Sequence, residues 1–172
     1  MAVTVETLRG ELEEAFRNRA HLYRILLEEL EAELGPERAE AVLARAVERR
    51  GREVAAGLFA GLAADPQAVG ARFLAASPDG GRLYPHDAEC RDGAMAIRVH
   101  RCELKEAWRE SRLGPERIAT LCRIAGAFDR GLFEAAGLTF TNETWSEGRG
   151  GGCCWIRLAR RGPCGSPAPP ST

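Results

Sequence analysis

Residues 94–113, AMAIRVHRCELKEAWRESRL, change their period in mid-stretch, and that change decides the fold class. Up to Cys102 apolar and polar residues alternate, with Met95, Ile97 and Val99 on one face and Arg98, His100 and Cys102 on the other, the pattern of a half-buried strand over 94–102. From Glu103 onward the composition is helical, so a strand runs straight into a helix with Cys102 at the junction. A thiol in that position lies near the positive end of the helix dipole, which favours its ionised form. Lys105, three residues on, adds a positive charge on the same helical face. His100 points to the same side of the strand as Cys102 at a Cα spacing of about 6.5 Å, so a Cys–His pair is geometrically open. The alternative is a half-polar strand end with a solvated lysine and histidine.

Downstream, Gly114-Pro115 opens a longer helix over 115–136, whose apolar side carries Ile118, Leu121, Cys122, Ala125, Phe128, Leu132 and Phe133, with Gly137 as its C-cap. Strands over 138–145 and 153–159 follow, joined by the glycine-rich EGRGGG as an antiparallel hairpin. Upstream, the apolar residues of 5–34 recur at three- and four-residue steps, with Arg17–Arg19 a candidate break. Gly35-Pro36 ends that helix and starts another over 36–62, in which Gly51 and Gly57 cost helix propensity. Asp65-Pro66 caps a short helix over 66–75, the turn-rich SPDGGRLYPHD reads as a linker, and Cys90, just after it, lies in loop-like sequence. The expected architecture is α+β: an N-terminal antiparallel helix pair packed with a small antiparallel sheet and two further helices. It forms one domain over 1–160, with a helical part at 1–76 and a cysteine-bearing part at 92–160. The tail 161–172 has a disordered composition.

The chain has 172 residues, 45% hydrophobic and 28% charged, which are globular values. Its acidic start lacks the basic and apolar segments of a signal peptide, and a cytoplasmic, non-membrane protein is expected. Lys+Arg is 24 against Asp+Glu 25, and no basic patch stands clear of acids, which disfavours nucleic-acid binding. The expected partner is a small-molecule substrate, with homo-oligomerisation left open.

All six cysteines lie in the second half, and a cytosolic compartment keeps them reduced. Cys122 and Asp129, two turns apart on one helical face, suggest a lined pocket, because a carboxylate is out of place there without a partner. An inert core thiol and an Asp129–Arg130 surface pair are the alternatives. Adjacent strand residues point to opposite faces, so at most one of Cys153 and Cys154 is expected to share a site with Cys102 and Cys122. The cysteine spacing lacks the short C-x-x-C or H-x-x-x-H pairs of structural zinc sites, so no cofactor or metal is expected, with zinc as the alternative. Trp108, Trp145 and Trp155 are candidates to wall a small-molecule pocket.

Three stretches, C-x-L-K-E-A-W from Cys102, L-C-x-I-A-x-x-x-D-x-G-x-F-E-x-A-G from Leu121, and T-W-x-x-G followed by C-C at Cys153-Cys154, together resemble the L-2-amino-thiazoline-4-carboxylic acid hydrolase family. The likeness extends back to His21. The resemblance implies a small hydrolase that opens a cyclic isothiourea toward a carbamoyl-cysteine product. In that reading Cys102 is the nucleophile, activated by Lys105; Asp129 or Glu134 handles protons; Cys122 and Cys154 are alternative nucleophiles. His100, Trp108, Glu134, Trp145 and Cys153 are placed on the substrate side, and an arginine such as Arg98 or Arg157 would hold the substrate carboxylate. The rival class is a non-catalytic module in which the cysteines bind metal or sense oxidation.

Overall fold

The computed structural model describes residues 3–150 and 152–161, so Cys164 and the tail beyond Arg161 lie outside the described residues. The elements run α1 (Val5–Leu34), α2 (Pro36–Leu58), α3 (Pro66–Ala75), β1 (His86–Arg91), β2 (Ala94–Val99), α4 (Glu103–Glu110), α5 (Pro115–Ala135), β3 (Leu138–Glu143) and β4 (Cys154–Arg160). The four strands form one antiparallel sheet in the order β1-β2-β4-β3, which bears out the α+β class.

Local chemistry explains most boundaries. Thr4 caps α1 by accepting from the Thr7 N–H, and Asp65 caps α3 by accepting from the Ala68 N–H. Gly35, at φ 78°, separates α1 from Pro36 at the start of α2. α1 is continuous through Arg17–Arg19, because Phe16 and Ala20 are buried on either side and hold that turn against the core. α2 ends at Leu58, short of the expected residue 62.

β1 replaces part of the expected linker, and Cys90 is a strand residue rather than a loop residue. The strand escapes a periodicity reading because it is exposed along nearly its whole length as a sheet edge. Its signal is the Asp92-Gly93 dipeptide, with φ 51° and 72°, the two left-handed residues of a tight hairpin turn. β2 stops at Val99, so His100 and Cys102 lie beyond the strand.

Gly51 and Gly131 do more than weaken their helices. A Cβ on Gly51 would collide with the Phe128 carbonyl, and one on Gly131 with the Glu48 carbonyl, so bare glycines let α2 and α5 approach backbone to backbone. One core cluster joins α1, α2, α4 and the first half of α5 around Phe16, Leu27, Trp108 and Leu121. A second joins α3, the ends of α2 and α5, and the inner face of the sheet around Phe133, Ile97 and Leu158. No helix among the described residues is long and apolar enough to cross a membrane.

Candidate active site

The thiols gather where β2 ends and β4 begins. Cys102 is the N-cap residue of α4, with an extended backbone at φ −130° and ψ 122°. The Leu104 and Lys105 amides lower its pKa, although the thiol closes no capping hydrogen bond with either. The Cys153 N–H donates to the Val99 carbonyl at 2.7 Å, which pins the approach to β4 against the end of β2. Gly152 makes this passage feasible: it sits at φ 127°, and a Cβ there would lie 2.9 Å from the same carbonyl. The Cys102 and Cys153 side chains are consequently hydrogen-bonded to each other.

Cys153 and Cys154 do not divide between opposite faces of a strand as expected. Cys153 precedes the strand, in a bend, and its Sγ lies 3.7 Å from the Cys154 Sγ, so both thiols belong to the cluster. Cys122, buried on α5, is close enough that Cys102 and Cys153 both oppose its ionisation, and Lys105 favours it. Lys105 is itself 8% exposed, with Nζ 3.0 Å from a Glu106 carboxylate oxygen.

The resting charge state is the reverse of the expected activated thiolate. The Cys102 pKa is raised well above the usual thiol range, first by the hydrogen bond to Cys153 and then by burial, and the α4 amides do not offset these effects. At Cys153 the bond from Cys102 favours the thiolate, but the Cys154 contact and burial outweigh it and push the pKa up to about 12. Burial, reinforced by the neighbouring thiols, pushes Cys122 up as well.

Asp129 lies two turns beyond Cys122 on α5. Its half-buried carboxyl makes no hydrogen bond or ion pair with the described residues, and burial pushes its pKa up to about 7. The Asp129–Arg130 surface pair is not formed. The charge on Asp129 is felt by Tyr23 and Tyr84, two phenols shifted upward primarily by burial. Cys102 also raises Tyr84, so that phenol lies within the field of both groups. Arg19, whose guanidinium stands 4.6 Å over the Phe16 ring, acts on both tyrosines with the opposite sign.

Other expected site residues are elsewhere. His100 is exposed and its Nε2 is 2.8 Å from the Asp87 carboxylate, so the Cys–His pairing is replaced by a surface contact to β1. Glu134 is exposed near the end of α5, where its carbonyl accepts from Arg161. Trp108 is fully buried and its Nε1 donates to the Ala20 carbonyl at 2.9 Å, so it ties α4 to α1 and has no face for a ligand. Arg98, Trp155 and Arg157 are on the solvent side of the sheet, opposite Ile97 and Ile156, with Arg98 stacked over the Trp155 ring. Trp145 is partly buried against the first core cluster that contains Cys122.

The sequence pattern gives Tyr84, Arg19 and Asn142 no site role, and Tyr23 reads as an ordinary residue of the first helix. Asn142 follows Leu138 and Phe140 on the inner face of β3, so strand alternation is enough to place it there. Its Oδ1 is buried without a hydrogen-bond partner. Among the described residues no group of three His, Cys, Asp or Glu side chains is arranged to hold a metal ion.

The family model described as L-2-amino-thiazoline-4-carboxylic acid hydrolase matches residues 15–158, most of the chain. The chain belongs to that family. No curated protein and no solved structure matches it. Within the matched span of this hydrolase family, the structure brings Cys102, Lys105, Cys122, Cys153 and Cys154 together and gives Trp108 a supporting place in the core.

Proposed function

We propose that this chain hydrolyses a small cyclic isothiourea of the thiazoline class, with Cys102 as nucleophile. The observation that carries this reading is the placement of a partly exposed Cys102 at the N-terminus of α4, hydrogen-bonded to Cys153 and near enough to Tyr84 that Cys102 and Asp129 both raise that phenol's pKa. Cys153 is 1% exposed and so acts through Cys102 rather than on the substrate.

The chemistry follows from the leaving group. Cys102 Sγ adds to the ring carbon between sulfur and nitrogen, and the bond from that carbon to the ring sulfur breaks. The ring sulfur leaves as a thiol with the proton that Cys102 gave up. One carbon–sulfur bond replaces another, so this exchange needs little driving force, and it leaves an isothiourea linked to Cys102. Water then adds to the same carbon, with ionised Asp129 taking its proton and returning one to the departing Cys102 sulfur. The product is a urea-type carbamoyl group on the substrate nitrogen, and Cys102 is regenerated as a thiol.

The high resting pKa suits this scheme, because a protonated thiol inside the site is protected from adventitious electrophiles until substrate arrives. Developing negative charge on Cys102 is then met by the α4 amides. Arg19 is the cation for the substrate carboxylate, since its field reaches Tyr23 and Tyr84, whereas Arg98 and Arg157 are across the sheet. The test is turnover of the thiazoline carboxylate by Cys102→Ala and Cys102→Ser, followed by release of product thiol. Loss of at least about a thousandfold in kcat is expected for a nucleophile; retained turnover by either variant sinks the assignment.

A further inference from the structure

We infer that Asn142 and Asp129 form the edge of this site that reads the nitrogen face of the substrate, accepting N–H groups from a planar amidine or isothiourea. The inference rests on the hydrolase reading above and assigns the substrate-recognition role within it.

Asn142 is the exception on its side of β3. Leu138 and Phe140 on the same face pack into the second core cluster, yet the third residue of the series is an amide. Its Oδ1 is buried and unpartnered, a state that costs the desolvation of an acceptor and that an apolar residue of similar shape would avoid. The opposing helix is cut away to admit it. A Cβ on Gly126 would lie 2.7 Å from Asn142 Nδ2 and 3.0 Å from Thr144 Cγ2, so only glycine lets the amide lie against α5.

Gly126 is one turn from both Cys122 and Asp129, and the three share one face of α5. The sheet register brings the thiols to the same place. Glu143 pairs with Trp155 and Asn142 with Ile156, so Asn142 stands two residue pairs inward from Cys154, on the same face of the sheet, and Cys154 touches Cys153. Beside the thiol cluster there are thus two acceptors, a neutral amide oxygen and a carboxylate, and neither has a donor among the described residues.

A ligand that satisfies both must present several N–H groups in one plane. A protonated 2-amino-thiazoline does so: the ring N–H and one exocyclic N–H reach a carboxylate in parallel, and the second exocyclic N–H remains for the amide oxygen. This pose also turns the carbon between the nitrogens toward the thiols. The positive charge of the ligand is met by Asp129, whose upward-shifted pKa drops on binding, so binding near neutral pH releases a proton.

The experiment is isothermal titration of the full chain with 2-amino-2-thiazoline, and with 2-methyl-2-thiazoline as a probe that lacks the exocyclic donors. Buffers of different ionisation enthalpy report the proton release. Asp129→Asn, Asn142→Leu and Gly126→Ala are each expected to weaken the amino probe at least tenfold and leave the methyl probe within twofold. Asn142→Leu should keep or raise the thermal midpoint, which a merely structural asparagine would not do. Gly126→Ala supplies a helix-favouring change that displaces the amide even where Asn142→Leu folds poorly. The inference is overturned if the wild type does not prefer the amino probe, or if Asn142→Leu and Gly126→Ala both bind it within twofold of wild type, as they would if the amide only held a water. Cys102-dependent turnover that persists alongside that result would leave the hydrolase reading standing; turnover independent of Cys102 would remove the reading itself.

Discussion

Alkylation rates measure the thiol cluster directly. At pH 7.5 a thiol held at about 12, as Cys153 is, is ionised to roughly 3 parts in 100,000, against roughly one part in ten for an ordinary thiol near 8.5. The rarer thiolate is also the stronger nucleophile, and a Brønsted slope of about 0.45 returns some 1.5 of the 3.5 decades. Cys153 should therefore react with iodoacetamide about 100-fold more slowly than a free small thiol, before any steric protection, and Cys102 should be slow for the same reason. Cys153→Ala removes the leading cause of the upward shift at Cys102 and leaves the α4 amides in place. Each unit by which the Cys102 pKa then falls speeds its alkylation about 3-fold to 4-fold. The assay is peptide mass spectrometry over a pH series, with Cys90 and Cys164 replaced by serine. Wild-type Cys102 reacting as fast as a small thiol at pH 7.5, or slowing further in Cys153→Ala, would refute the reasoning.

The carboxylate gives a prediction of opposite pH sense to that of a salt-bridged acid. Asp129 titrates near 7 in the folded protein and near 3.9 when unfolded, so the folded state binds more protons between those values and stability falls as pH rises through them. Asp129→Asn removes up to about 4 kcal/mol of that loss, so in urea denaturation its advantage over wild type should grow from pH 5 to pH 8; a pH-independent difference would contradict the shift. Gly51→Ala should destabilise by about 1 to 3 kcal/mol despite the better helix former, because the new methyl meets the Phe128 backbone. Gly57→Ala, with open space around it, should instead stabilise by up to about 1 kcal/mol, and equal effects at the two positions would refute the close-approach argument.

The strand-to-helix switch at Cys102, the Gly35-Pro36 junction, the Asp65 cap and the antiparallel pairing of β3 with β4 were legible because each depends on neighbours in the chain. β1 was less so, since an edge strand exposed on both faces has no alternation, and only its Asp92-Gly93 turn marks it. At the site, residue types were legible and environments were not. The helix dipole acting on Cys102 follows from local order, but the Cys153 thiol that outweighs it arrives from the far end of a β-sheet connection. Asp129 is legible as a carboxylate on an apolar helix face, whereas no local pattern shows that Asn142 lacks a partner. His100 illustrates the converse: strand spacing sets it beside Cys102, but the strand ends at Val99, before either residue, and that geometry does not hold.

The claim that Cys102 is the nucleophile is tested most directly by trapping its adduct. Asp129→Asn, which slows the water step, is mixed with isotopically labelled thiazoline carboxylate, quenched in acid within the first turnover and mapped by mass spectrometry. The intact substrate mass is expected on the peptide that carries Cys102, disappearing as product forms. Turnover without adduct on that peptide, or label confined to Cys122 or Cys154, would contradict it.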